Sequence, residues 1–185
     1  EHCGLVLGPE ALKGGMTPER AFSFGRSAAF LRPEALLCGA LTISQLKSLL
    51  NACVLMVQPD APVDGVRSEL EPLARKIKEA IPQGELARIA ALIREHWTSR
   101  GMHLLTDMVA GVSFTADRVG FLFAQELGAA VSMLKQQAGV LTTAGVRSAI
   151  RELVLFSVSP ELFSLRQELG PNVNAAASAR AFGDA

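Results

Sequence analysis

Histidines, cysteines and paired carboxylates are the side chains that could hold a metal or carry acid–base work, and this chain spends few of them. The three histidines are His2, His96 and His103. No two stand three or four residues apart, so no single helix offers a two-histidine platform of the kind zinc takes. His96 and His103 would share a helix face only if one helix ran through Gly101, and we read both as surface or internally satisfied histidines. The cysteines Cys3, Cys38 and Cys53 lack C-x-x-C spacing and leave one over in any disulfide scheme. Buried or reduced thiols in a cytoplasmic protein are the expectation. The chain has no H-E-x-x-H, no G-x-x-x-x-G-K-[ST], no G-x-S-x-G and no G-x-G-x-x-G. Tyrosine is absent, and no base is recognisable beside any serine or threonine.

The scaffold that must position these residues is apolar and charge-balanced. Apolar residues make up 49% of the 185 and charged residues 19%, with a mean hydropathy of +0.29. Disorder over most of the chain is excluded. At 19.6 kDa about 70% of the unfolded surface is buried on folding, enough for one domain or at most two small ones. Eighteen Lys and Arg stand against eighteen Asp and Glu, which disfavours a nucleic-acid binder. The longest apolar runs, such as Ala52–Val57, fall far short of the roughly 20 residues of a membrane span. There is no signal-peptide layout, and a chain opening on Glu1 reads as a fragment or a processed product.

Periodicity predicts a mainly α fold. Residues 3–7 read as one short strand or an extended lead-in. Thr17-Pro18-Glu19 is a hydroxyl cap, a proline at the first helical position and an acid in the first turn. It opens a largely buried helix, ended near Arg32 by Pro33. Thr42-Ile43-Ser44-Gln45 resembles a capping box before a helix to Val57. Residues 58–63 form a linker. Helices follow over about 64–80 and 85–99, the latter with Trp97 inward. Residues 104–137 read as one long helix or two joined near Gly111, and 142–158 as another. Ser159-Pro160-Glu161 repeats the start signal for a last helix to Leu169. Residues 172–185 read as a flexible tail after a single domain over 1–171, and no repeat points to a solenoid.

Two segments carry a family likeness. Met16-Thr-Pro-Glu-Arg-Ala-Phe-Ser-Phe-Gly25 resembles the lead-in to the active-site helix of gluzincin metallopeptidases of the heat-shock protease X and CAAX-protease type, including their small minigluzincin relatives. Ser113-Phe-Thr-Ala-Asp-Arg-Val-Gly120 is similar to that family's E-x-x-A-D-R-x-G helix, which carries the third zinc ligand. The resemblance implies a zincin-like helical core with at most a small strand element at the N-terminus. A bacterial source is expected, with the cytoplasmic setting read from the cysteines. In this alignment Arg26 stands for the first zinc histidine, Ser27 for the general-base glutamate, Phe30 for the second histidine and Ser113 for the ligand glutamate. Asp117, Arg118 and Gly120 are retained.

The departures remove the chemistry. Zinc takes neutral imidazoles or carboxylates. Arg26 is a permanent cation, Ser27 is no general base, Phe30 has no donor atom and Ser113 is a weak ligand at best. The reading is a pseudopeptidase without metal or other cofactor. In place of the metal we expect an Arg26–Asp117 ion pair, or a network through Ser113, because a buried guanidinium needs an anion. Glu19, Glu34 and Glu126 are the poorer candidates for that anion.

The expected function is a non-catalytic protein-interaction or scaffold module. Its partner would be a protein or attached domains such as tetratricopeptide repeats, with no nucleic acid and no membrane span. The alternatives are a hydrolase with a relocated or non-zinc site, and a regulatory small-ligand module using the old substrate cleft.

Overall fold

The computed structural model describes residues 4–9, 13, 15–96, 101–136 and 145–169. Among these residues the chain is helical, with nine helices and no strand. They are α1 (Pro18–Ala29), α2 (Pro33–Ala40), α3 (Ile43–Val57), α4 (Arg67–Ala80), α5 (Gln83–His96), α6 (Gly101–Ala124), α7 (Leu127–Gln136), α8 (Val146–Ser157) and α9 (Pro160–Leu169). Gly4–Leu7, the described part of the strand considered at the N-terminus, forms no strand. The segment 172–185 and Trp97 lie outside the described residues.

Local chemistry sets three of the helix starts. The Thr17 hydroxyl accepts from the Arg20 amide at 3.3 Å, with Pro18 and Glu19 behind it. At α3 the capping box is complete, the Thr42 hydroxyl accepting from Gln45 N at 3.2 Å and the Gln45 side chain accepting from Thr42 N at 2.8 Å. Ser159 caps α9 through Leu162 N. Each such cap is worth about 1 kcal/mol.

Three boundaries differ from the expectation. α1 stops at Ala29, and Pro33, expected only to end a helix, also starts α2. The break in the long segment falls at Gln125, which takes a left-handed φ of 57°, not at Gly111, which stays inside α6. α8 begins at Val146, after Gly145 with φ 77°, and the expected residues 142–144 lie outside the described residues.

The chain divides into two compact units, one from Glu1–Gly39 and Ala110–Ala185, the other Ala40–Val109. In the first, α1 packs on α7, α7 on α8 and α8 on α9. Its core joins Phe22 of α1, Phe121 and Ala124 of α6, Ala130 and Leu134 of α7, Ala149, Leu153 and Phe156 of α8, and Leu162 of α9. In the second unit α3 packs on α4 and α5. Ala52 and Leu55 meet Leu70 and Ala74 there, and Val54 meets Ala61 and Ile93. The proline-rich stretch read as a linker is tied down in this unit. Arg67 donates to the carbonyls of Pro59 and Ala61, and Asn51 Nδ2 donates to Asp64 O at 2.6 Å.

Candidate functional site

α1 and α6 approach each other at two glycines. A Cβ on Gly120 would stand 2.8 Å from the Phe22 carbonyl oxygen, and one on Gly25 would stand 3.0 Å from the Val119 carbonyl oxygen. Real Cβ atoms essentially never come so near backbone as at Gly120 and rarely so near as at Gly25, so glycine at these positions suits the close approach of the helices.

The residues beside this contact point at each other. Arg26 follows Gly25, and Asp117 lies just under one turn before Gly120. Arg26 Nε donates to Asp117 Oδ1 at 2.6 Å, with the two side chains 4% and 2% exposed. The pairing is single-stranded. Arg26 Nη2 and Asp117 Oδ2 are buried without a hydrogen-bond partner, so the bidentate fork that guanidinium and carboxylate can make is not formed. Burial pushes the Asp117 carboxyl above the usual carboxylate range, while the Arg26 hydrogen bond and charge pull it back. The net direction is upward because desolvation is the larger effect.

Phe30 caps the C-terminal end of α1, one turn on from Arg26, whose guanidinium carbon lies 5.6 Å from the ring centroid. Ser113 is buried one turn before Asp117 on the same face of α6. The network considered through Ser113 is not formed, since Asp117 Oδ2 bonds nothing. Arg26, Phe30, Ser113 and Asp117 therefore gather along the α1–α6 contact.

Ser27 does not join them. It is exposed and lines a separate cavity of about 340 Å³ with Ser23, Phe24 and Met133. The poorer anion candidates are elsewhere, and Glu34 pairs with Arg32 at the surface.

The remaining chemical residues are dispersed. His96 is exposed, 3.8 Å from Glu95, and the side chains of His2 and His103 lie outside the described residues. Cys38 and Cys53 are free thiols, which burial pushes up, away from the thiolate that reactivity requires. Among the described residues no three His, Cys, Asp or Glu side chains come together as a metal site, and no helix is long and apolar enough to cross a membrane.

Asp117 and Arg118, adjacent in sequence, serve separate contacts. Arg118 Nη2 meets Glu152 at 3.2 Å, and its guanidinium lies 5.3 Å from the Phe156 ring centre. Arg166 lies 5.8 Å from that of Phe121. The two rings meet edge to face at 6.4 Å.

Compared with known proteins, the chain matches no family model, no curated protein and no solved structure. The likeness to gluzincins rests on the segments quoted from the sequence.

Proposed function

We propose that this chain is a non-catalytic domain of metallopeptidase descent that works as a protein-interaction or scaffold module, within a larger protein. The supporting observation is the buried Arg26–Asp117 pair at 2.6 Å. It joins the helix that would carry the zinc histidines to the helix that would carry the ligand glutamate. A guanidinium at the first ligand position repels a divalent cation, and the carboxylate beside it is already engaged. With Ser27 in place of the general base, no group there activates a water. Attached domains such as tetratricopeptide repeats would supply the partner. Free, half-buried Cys38 and Cys53 fit a reducing cytoplasmic setting.

Metal analysis of the purified chain tests the loss. Zinc and iron well below stoichiometric are expected, and a stoichiometric transition metal returns the hydrolase reading. The descent is tested separately by restoring the four positions together, Arg26→His, Ser27→Glu, Phe30→His and Ser113→Glu. That variant should take up zinc, and a folded variant that takes up none removes the family reading.

The cavity beside Ser27 favours a second reading, a small-ligand module. Its lining is mostly apolar, with two hydroxyls from Ser23 and Ser27 and the charged side chains of Glu19 and Arg20, as ligand pockets commonly are.

A further inference from the structure

Buried polar atoms are ordinarily hydrogen-bonded, and one that is not calls for a partner. Among the described residues, three side-chain atoms are buried and bond nothing: Arg26 Nη2, Asp117 Oδ2 and Asn51 Oδ1. Asn51 stands in the second unit and offers a lone acceptor, so a guest there would gain one bond from it. The other two atoms belong to one ion pair, and one is a donor while the other is an acceptor. Arg26 Nη2 shares its carbon with Nε, and Asp117 Oδ2 shares its carbon with Oδ1. The Nε–Oδ1 bond at 2.6 Å therefore keeps both free atoms beside it. The helices that carry them come close at Gly25 and Gly120, so the pair adapts to a spacing set by backbone, and its second arm stays open.

The chemistry of the two atoms says what completes them. A guest must accept from Nη2 and also satisfy Oδ2. A halide or a carboxylate only accepts, and an ammonium group only donates. A bare metal ion would stand against the guanidinium's permanent charge. Water does both. It donates to Oδ2 when the carboxyl is ionised and accepts from it when the proton sits there, so it suits either state of Asp117. Arg26 and Asp117 are both buried, as is Ser113 one turn before Asp117 on the same face of α6. The guest is thus enclosed, and water is the smallest one with this chemistry. Internal waters that bond otherwise unpaired groups are part of a fold and costly to remove.

We propose that the α1–α6 contact is the binding site of one structural water molecule, which bridges Arg26 Nη2 to Asp117 Oδ2. The water closes the open arm of the fork and makes the pair a three-membered hydrogen-bonded unit. This inference goes beyond the interaction-module reading and does not depend on it, since it uses the polar atoms of the pair and nothing of their descent.

Oxygen-17 magnetic relaxation dispersion, which counts long-lived internal waters in solution, provides the first test on the full chain. The wild-type chain should hold one more such water than the Arg26→Met/Asp117→Leu variant, which removes the donor and the acceptor together. Helical circular dichroism checks that the variant is folded. A crystal structure of the wild-type chain, at a resolution that shows ordered water, provides the second test and needs no variant. It should show a water within hydrogen-bond distance of both Nη2 and Oδ2. Equal water counts in the two folded chains overturn the proposal. A crystal structure in which Nη2 bonds Oδ2 directly overturns it as well, as does one with no water between the two atoms.

Discussion

Arg26 and Asp117 are bonded to each other, and each still holds one buried polar atom that bonds nothing, Nη2 on the guanidinium and Oδ2 on the carboxylate. The pair therefore carries the desolvation of two ions against a single hydrogen bond. Arg26→Met strands the carboxylate and should cost about 3–5 kcal/mol in urea unfolding at neutral pH. Replacing both, as Arg26→Met with Asp117→Leu, should recover most of that loss and end neutral or more stable than wild type. A double variant no better than Arg26→Met alone would show that the pair's value is its fit, not its charge.

The pH dependence follows from the same burial. The Asp117 carboxyl is raised above its ordinary value, so the folded chain holds this proton where the unfolded chain has released it. The contribution of Asp117 is full below its unfolded pKa and is lost as pH rises through the folded one. Measured by urea unfolding, the wild-type chain should gain on the Arg26→Met/Asp117→Leu variant as pH is lowered from neutral. Losing ground on acidification would place the folded pKa below the unfolded one.

Gly120 and Gly111, both within α6, should respond oppositely to alanine. At Gly120 a Cβ meets the Phe22 carbonyl at 2.8 Å and its ring at 2.9 Å. The carbonyl belongs to a helix backbone and has nowhere to go, so Gly120→Ala should cost about 1–3 kcal/mol. Nothing lies within 4 Å of a Cβ on Gly111, and Gly111→Ala should be neutral or stabilise by up to about 1 kcal/mol. Thermal unfolding of the two variants side by side decides it.

In the second unit, Thr42→Ala removes both the acceptor for the Gln45 amide and a partner of its side chain. A loss of about 1 kcal/mol is expected, with local amide exchange faster in the first turn of α3.

What could be read in the sequence was whatever is decided within a few residues. The starts at Thr17, Thr42 and Ser159 depend on a hydroxyl, a proline or a glutamine close by, and those residues are visible in a string. The break at Gln125 is not of that kind. Neither glycine nor proline marks it, and it serves to fold Ala130 and Leu134 back into the core. Pro33 was legible as a stop but not as a start, because the same fixed φ suits both. At the candidate site, Arg26 and Asp117 lie 91 residues apart, beyond the reach of any periodicity, and only the two-segment likeness put them together. Gly25 and Gly120 stood in the two quoted segments, but nothing in their spacing said that they touch, since a residue without a side chain contributes nothing to an apolar face.

Arg118 over Phe156 and Arg166 over Phe121 have a consequence for where this chain is sticky. A guanidinium is flat and loosely hydrated, so it rests on a ring while its edge stays wet. The aromatic end of the first unit is thereby shuttered by charge, and lysine in either place would prop the shutter open. At these two places water meets cations where it would otherwise meet the edges of benzene rings.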